Sequence, residues 1–290
     1  MPDDNFIIPP DTDAGIVARM TLQERVDRAI KLLKEHEPAE GYCLAYSGGK
    51  DSDTCKKLLQ LSGVKFESWY NQTTIDPPEL VRHVKSQSDV KWSLANKNMM
   101  SRVAEKSAAP PTRMMRWCCD EYKENSQPFV GRVKIVGVRA AESPRRKHRW
   151  SENALDMNKQ KTICPIVYWS DDQVWEFLKQ YGVTVCVLYS EGWKRLGCVG
   201  CPLNNQSREK EFVRWPAFER NWKNAVVKNW ENFHDKQTLK GKPTFQSRFK
   251  SGEELWHWWM QDDKAPDPFR EDCQSGLMWT NDDGLQNSPS

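Results

Sequence analysis

Three groups of residues in this chain have types and spacings that could do chemistry. The first is the turn Tyr46-Ser47-Gly48-Gly49-Lys50-Asp51-Ser52. It follows an apolar run over 42–46 and precedes a helical pattern over 53–61 that Gly63 can close. A strand, a Gly-Gly turn and a helix start together form an anion site. Unbonded N–H groups and the positive end of the helix dipole both face whatever binds there. Gly48 and Gly49 let the backbone approach phosphate oxygens with no Cβ in the way. Ser47 and Ser52 add hydroxyls, and Lys50 adds a point charge. The loop is not a Walker A motif, whose spacing and terminal Gly-Lys-Ser/Thr it lacks.

The second group is Arg139-Ala140-Ala141-Glu142-Ser143-Pro144-Arg145-Arg146, which follows a strand pattern over 133–138. Its arginines are forked donors suited to phosphate or sulfate. The third group is four cysteines, the pair Cys118-Cys119 and the turn Cys198-x-x-Cys201. Four thiolates suit an iron–sulfur cluster or a structural zinc ion, and buried free thiols are the plainer alternative. Adjacent cysteines reach two irons of a cluster more easily than they surround one small ion, which favours the cluster.

The elements that must position these groups follow from pattern. Thr21 with Glu24 reads as a capping box, and Val26, Ile30 and Leu33 form one apolar helix face. A second strand is expected over 64–70, ending at Thr73, Thr74 and Asp76. Helices are expected from Leu80, from Met99 and, capped by Ser170, over 174–181. Strand–helix–strand order predicts a parallel α/β sheet with ligands at the carboxyl ends of its strands.

The 290 residues suffice for one large domain or one domain plus an appendage. The net charge of +3 does not by itself call for a polyanionic partner. No apolar run approaches the roughly 20 residues of a membrane span, and no signal-peptide core opens the chain, so a cytoplasmic protein is expected. Nine cysteines there read as ligands, catalytic thiols or core residues rather than disulfides. Cys43, Cys55, Cys164 and Cys186 sit among apolar neighbours and read as core.

The turn at 47–52 resembles the PP-loop, Ser-Gly-Gly-x-Asp-Ser, of the adenine-nucleotide α-hydrolase superfamily, the ATP pyrophosphatases. The run Gly137-x-Arg139-x-x-Glu142-Ser143-x-Arg145 is similar to a second marker, that of the phosphoadenylyl-sulfate (PAPS) reductase branch. Order and spacing from Pro165 to Cys201 resemble the same family, and the likeness extends over about residues 40 to 205. It implies a doubly wound, mostly parallel sheet. It also implies an adenine nucleotide, ATP or a relative with Mg2+, held by Ser47, Gly48, Gly49, Lys50, Asp51 and Ser52 with Gly137 and Arg139. Thr73 and Asp76 are carried over from a matching strand end. Cys118, Cys119, Cys198 and Cys201 are similar to the 4Fe–4S ligands of the assimilatory adenylyl-sulfate reductases.

Two chemistries diverge within this family. Sulfonucleotide reductases have lost the intact loop and use a late cysteine in Glu-Cys-Gly-Ile/Leu-His. Here the loop is intact, and the late Cys273 lacks the Gly and His. The chain therefore resembles the ATP-using sulfur-transfer enzymes more closely, which implies adenylation of an acceptor and a sulfur donor such as a cysteine desulfurase. In that reading Lys50, Asp51, Arg139 and Arg145 are catalytic, and Cys273 is a candidate sulfur carrier. The alternatives are a reductase releasing sulfite and a nucleotide-binding accessory subunit without turnover. A homo-oligomer is compatible with any of these.

Residues 206–250 hold eleven Lys/Arg against five Asp/Glu, interleaved with Trp215, Phe218, Trp222, Trp230 and Phe233. Such a run could grip single-stranded RNA or DNA, although the helical spacing of Phe218, Trp222 and Ala225 equally suits packing on a core. The expected division is a flexible arm over 1–20, the nucleotide-binding domain over 21–205, a helical Trp-rich extension over 206–280 and a disordered tail over 281–290.

Overall fold

The alternating strand and helix patterns are realised as a mostly parallel sheet in a computed structural model that describes residues 12–124, 127–156, 159–204, 208–238 and 240–261. Its first elements are α1 (Asp13–Arg19), α2 (Leu22–Glu35), β1 (Tyr42–Ala45), α3 (Lys50–Ser62), β2 (Phe66–Gln72), α4 (Pro78–Lys85), β3 (Val90–Leu94) and α5 (Met99–Glu105). Then come α6 (Trp117–Cys119), β4 (Lys134–Ile135), α7 (Pro144–Arg149), β5 (Asn153–Leu155), β6 (Lys161–Ile163) and α8 (Asp171–Gln180). Three helices follow, α9 (Arg208–Arg214), α10 (Pro216–Phe233) and α11 (Gly252–Met260).

Two compact units form, and neither is continuous in sequence. The sheet unit contains residues 12–72, 78–94 and 127–196, and the helical unit 73–77, 95–124 and 197–261. The extension expected to begin at 206 thus draws in 73–77 and 95–124, which the sequence pattern placed with the nucleotide. Within the expected N-terminal arm, α1 is a capped helix with Val17 buried. Val17 joins the apolar core beside Val26, so its burial holds the segment. The expected tail over 281–290 lies outside the described residues.

In the sheet unit the strand order is β3-β2-β1-β4-β6-β5, parallel throughout except for β5 against β6. Chain order reverses between β1 and β4, and a crevice opens at such a switch point beyond the strand ends. Tyr42, Cys43 and Leu44 are fully buried, as expected of a central strand. Leu58 and Leu59 of α3 pack into the same core with no exposed area, each contributing about 1.5–3 kcal/mol. Gly63, at φ 73°, ends α3 in the left-handed conformation. Thr21–Glu24 and Ser170–Gln173 form the capping boxes that start α2 and α8.

In the helical unit α10 packs against α5 and α11. Trp222, Trp256 and Trp259 are buried and stacked, with Trp222 and Trp259 ring centroids 4.8 Å apart. Arg208 lies 4.2 Å over Trp259. Two of the aromatics that could have gripped a nucleic acid, Trp215 and Trp222, are therefore core, because α10 alone cannot bury its apolar face, whereas Phe218, Trp230 and Phe233 are half-buried.

Candidate functional site

In the sheet unit the loops following β1 and β4 meet around a cavity of about 290 Å³. Gly48 has φ 71°, and a Cβ there would lie 2.6 Å from Val84 Cγ2, so only glycine fits. Gly49 caps α3 without a side-chain bond, and Lys50 N donates to Tyr189 Oη at 2.9 Å. Ser52 Oγ bonds Gly49 O at 2.8 Å and lies 3.2 Å from Ser47 Oγ, closing the turn on itself. Gly137 lets the β4 loop come close, since a Cβ there would sit 2.9 Å from the Asp51 backbone.

Two cations and two carboxylates interlock at the cavity wall. Arg139 Nε donates to Asp51 Oδ1 at 2.6 Å, and its Nη2 to Asp171 Oδ1 at 2.8 Å. Lys50 Nζ lies 3.2 Å from Asp51 Oδ2 and 3.0 Å from Asp171 Oδ1. The Lys50 and Arg139 side chains are 5% exposed, whereas that of Asp171 is 56% exposed. Burial would raise the Asp171 carboxyl, but the bonds to Lys50 and Arg139 outweigh it and hold the group below its ordinary value. Asp171 thus occupies, from the solvent side, the cations an anionic ligand would need. Arg146 pairs with Glu142 at the rim, where Lys194 and Arg195 also line the cavity.

The loop residues named from sequence, Ser47, Gly49, Lys50, Asp51 and Ser52, converge here with Gly137 and Arg139. Gly48 shapes the turn. The backbone of Arg145 lies on α7, but its side chain and all of Cys273 lie outside the described residues. Sequence reasoning missed Asp171 and Tyr189. The only sign of Asp171 was its place after the Ser170 cap, and nothing local marked Tyr189.

Thr73 and Asp76 fall in the helical unit with the four cysteines. Cys118 and Cys119 lie in α6, which continues as a π-helical turn over Asp120–Glu124. Such turns recur at functional sites. The Cys198–Cys201 turn is held from three sides. Gly200 N donates to Glu211 Oε2 at 2.6 Å, Trp222 Nε1 to Val199 O at 2.9 Å, and Val199 N to Ile75 O at 2.8 Å. Cys198 Sγ lies 3.5 Å from Thr73 Oγ1. Asp76 Oδ2 accepts from Thr73 N at 3.3 Å, so its described hydrogen bond shapes this segment.

The four thiols are electrostatic neighbours. Its hydrogen bond to Cys119, then burial and the charges of Cys119, Cys198 and Cys201, push Cys118 up. The same bond, with Lys123 and Arg116 nearby, brings Cys119 down. Burial pushes Cys198 up to about 12 against the pull of Lys123. Among the described residues no three or more His, Cys, Asp or Glu side chains are arranged to hold a metal ion. The donor chemistry, four mutually sensitive sulfurs beside cations that offset thiolate charge, still fits a thiolate-ligated cluster. Cys43, Cys55, Cys164 and Cys186 are buried, as expected of core residues.

Residues 41–204 match the phosphoadenosine phosphosulfate reductase domain. The chain belongs to that family. An uncharacterised protein of Methanocaldococcus jannaschii is 28% identical over 235 residues, covering 74% of this chain and 45% of that protein. An adenosine 5'-phosphosulfate reductase of Staphylococcus haemolyticus is 28% identical over 108 residues, 36% of this chain and 44% of that protein. The chain thus spans less than half the length of both relatives. The PAPS reductase of Candida auris, solved as a phosphate complex, overlays with a TM-score of 0.47 at 12% identity, covering 64% of this chain and 91% of that one. Among the described residues no helix is long and apolar enough to cross a membrane.

Proposed function

We propose that this chain binds ATP at the 47–52 loop and adenylates an acceptor that then receives sulfur. The observation that carries this is the intact loop with Lys50 and Arg139 buried against carboxylates in one cavity. An arriving triphosphate replaces Asp171 on both cations. An acceptor oxygen attacks the α-phosphorus, its bond to the leaving oxygen breaks, and pyrophosphate departs. Lys50 and Arg139 stabilise the charge on the phosphoryl oxygens, commonly the largest contribution in such transfers. Asp51 would hold Mg2+, which would supply further positive charge against the phosphates. Cys118, Cys119, Cys198 and Cys201 would hold a 4Fe–4S cluster, which supplies redox-active, sulfur-binding iron when bound. In this scheme sulfur supplied by a cysteine desulfurase attacks the adenylated centre, whose bond to the adenylate oxygen breaks, and AMP leaves.

The family match favours a second reading, reduction of a sulfonucleotide with release of sulfite. Labelled substrates separate the two. Pyrophosphate release from ATP in the presence of acceptor supports adenylation, and thiol-dependent sulfite release from a sulfonucleotide supports reduction. Retained nucleotide with neither product would assign a non-catalytic accessory role.

A further inference from the structure

The helical unit contains a cavity of about 540 Å³ between the start of α5, the middle of α10 and the Thr74–Ile75 segment. This is the size of a small-molecule site. It is lined by Asn98, Asn221, Asn224, Phe218 and one charged residue, Lys228, and of the three asparagines Asn98 already caps α5 by accepting from Met100 N at 2.8 Å. A carboxamide places a donor and an acceptor in one plane, which matches the edge of a nucleobase. Phe218 is half-buried and is the α10 aromatic that lines this wall. It precedes Asn221 by about one helical turn, so ring and carboxamide lie on one face. Lys228 lies further along that face, and helical side chains lean toward the N-terminus, toward the asparagines. Its ion pair with Glu231, 3.0 Å long, is exposed on both sides. A phosphate can displace such a pair at little cost.

The floor is strained. Thr74 has φ 67°, a left-handed conformation that a β-branched residue rarely adopts. Its Oγ1 accepts from Met99 N at 2.9 Å, which pins it at the start of α5. Strain of this kind collects at ligand sites. The neighbouring Thr73 and Ile75 hold the Cys198 turn, so one short segment serves both the thiols and the cavity.

We propose that this cavity binds a nucleotide, with its base against Phe218 and between the asparagines and its phosphate at Lys228. Its role as the seat of the sulfur acceptor rests on the function proposed above, whereas the binding itself does not.

The test is fluorescence anisotropy of the full chain, without ATP, using labelled single-stranded DNA and RNA oligonucleotides with nucleoside monophosphates as competitors. Phe218→Ala is expected to weaken binding about tenfold or more. Asn221→Ala with Asn224→Ala should weaken some bases more than others, and Lys228→Ala should flatten the salt dependence. An abasic strand should bind wild type as weakly as an ordinary strand binds Phe218→Ala. Competition by monophosphates assigns a free nucleotide, and its absence assigns a strand; both are the proposed chemistry. Circular dichroism and an unchanged thermal midpoint confirm that each variant is folded. The proposal is overturned if wild type binds neither ligand, or if the Phe218 and asparagine variants bind unchanged. Loss of the adenylation reading alone would appear as strand binding without pyrophosphate release.

Discussion

The 47–52 loop and the cysteine site are built in opposite ways. The loop is one continuous run whose turn, helix cap and hydroxyl contacts lie within six residues. The cysteine site joins segments far apart in the chain and depends on Glu211, Trp222 and the 73–77 segment for its shape. The loop's cations are neutralised by the carboxylates of Asp51 and Asp171. The thiols instead modify one another. A local motif can be tuned by exchanging counter-ions, whereas an assembled site is sensitive to any of its supports.

The sharpest break in that comparison is Cys198→Ser. In protein purified without oxygen, wild type is expected to show iron and an absorbance band near ~400 nm, and the variant to lose both. Persistence of colour and iron would remove Cys198 from the ligand set.

Next in size is Lys50→Met, expected to lower pyrophosphate release about 10²–10³-fold, the usual loss on removing one preorganised donor. The band near ~400 nm should be untouched, so a joint loss would mean that the two sites are not separable.

A smaller effect is expected at Glu211, whose carboxyl burial pushes up from 4.5 to about 6, opposed by the bonds from Gly200 and Asn204. A raised carboxyl pKa gives stability that is present below pH 4.5 and lost as pH rises through about 6. Its size is about 2 kcal/mol. Unfolding of wild type and Glu211→Gln, followed between those pH values, should show a steeper fall in wild type. Parallel curves would refute it.

The smallest effect is at Asp171. Asp171→Asn removes the competitor for Lys50 and Arg139 and should tighten magnesium-free ATP binding up to about fivefold, the scale of an exposed ion pair. Titration calorimetry in chelator reads this directly, and unchanged or weaker binding would mean that Asp171 is not the group displaced.

Sequence by itself determined the loop from Ser47 to Ser52, the helix that follows, the capping box at Thr21 and the Ser170 cap, because each depends on residues within a few positions. Strands β3, β5 and β6 carried too few apolar residues to stand out, and β4 is shorter than its apolar run because only two residues pair. Only the tertiary structure decided that Asp171 and Tyr189 join the cavity at the 47–52 loop, that Thr73 and Asp76 belong with the thiols, and that Trp215, Trp222, Trp256 and Trp259 are core. Those outcomes turn on which surfaces meet once the chain is packed, and local pattern holds no record of partners that lie a hundred residues away.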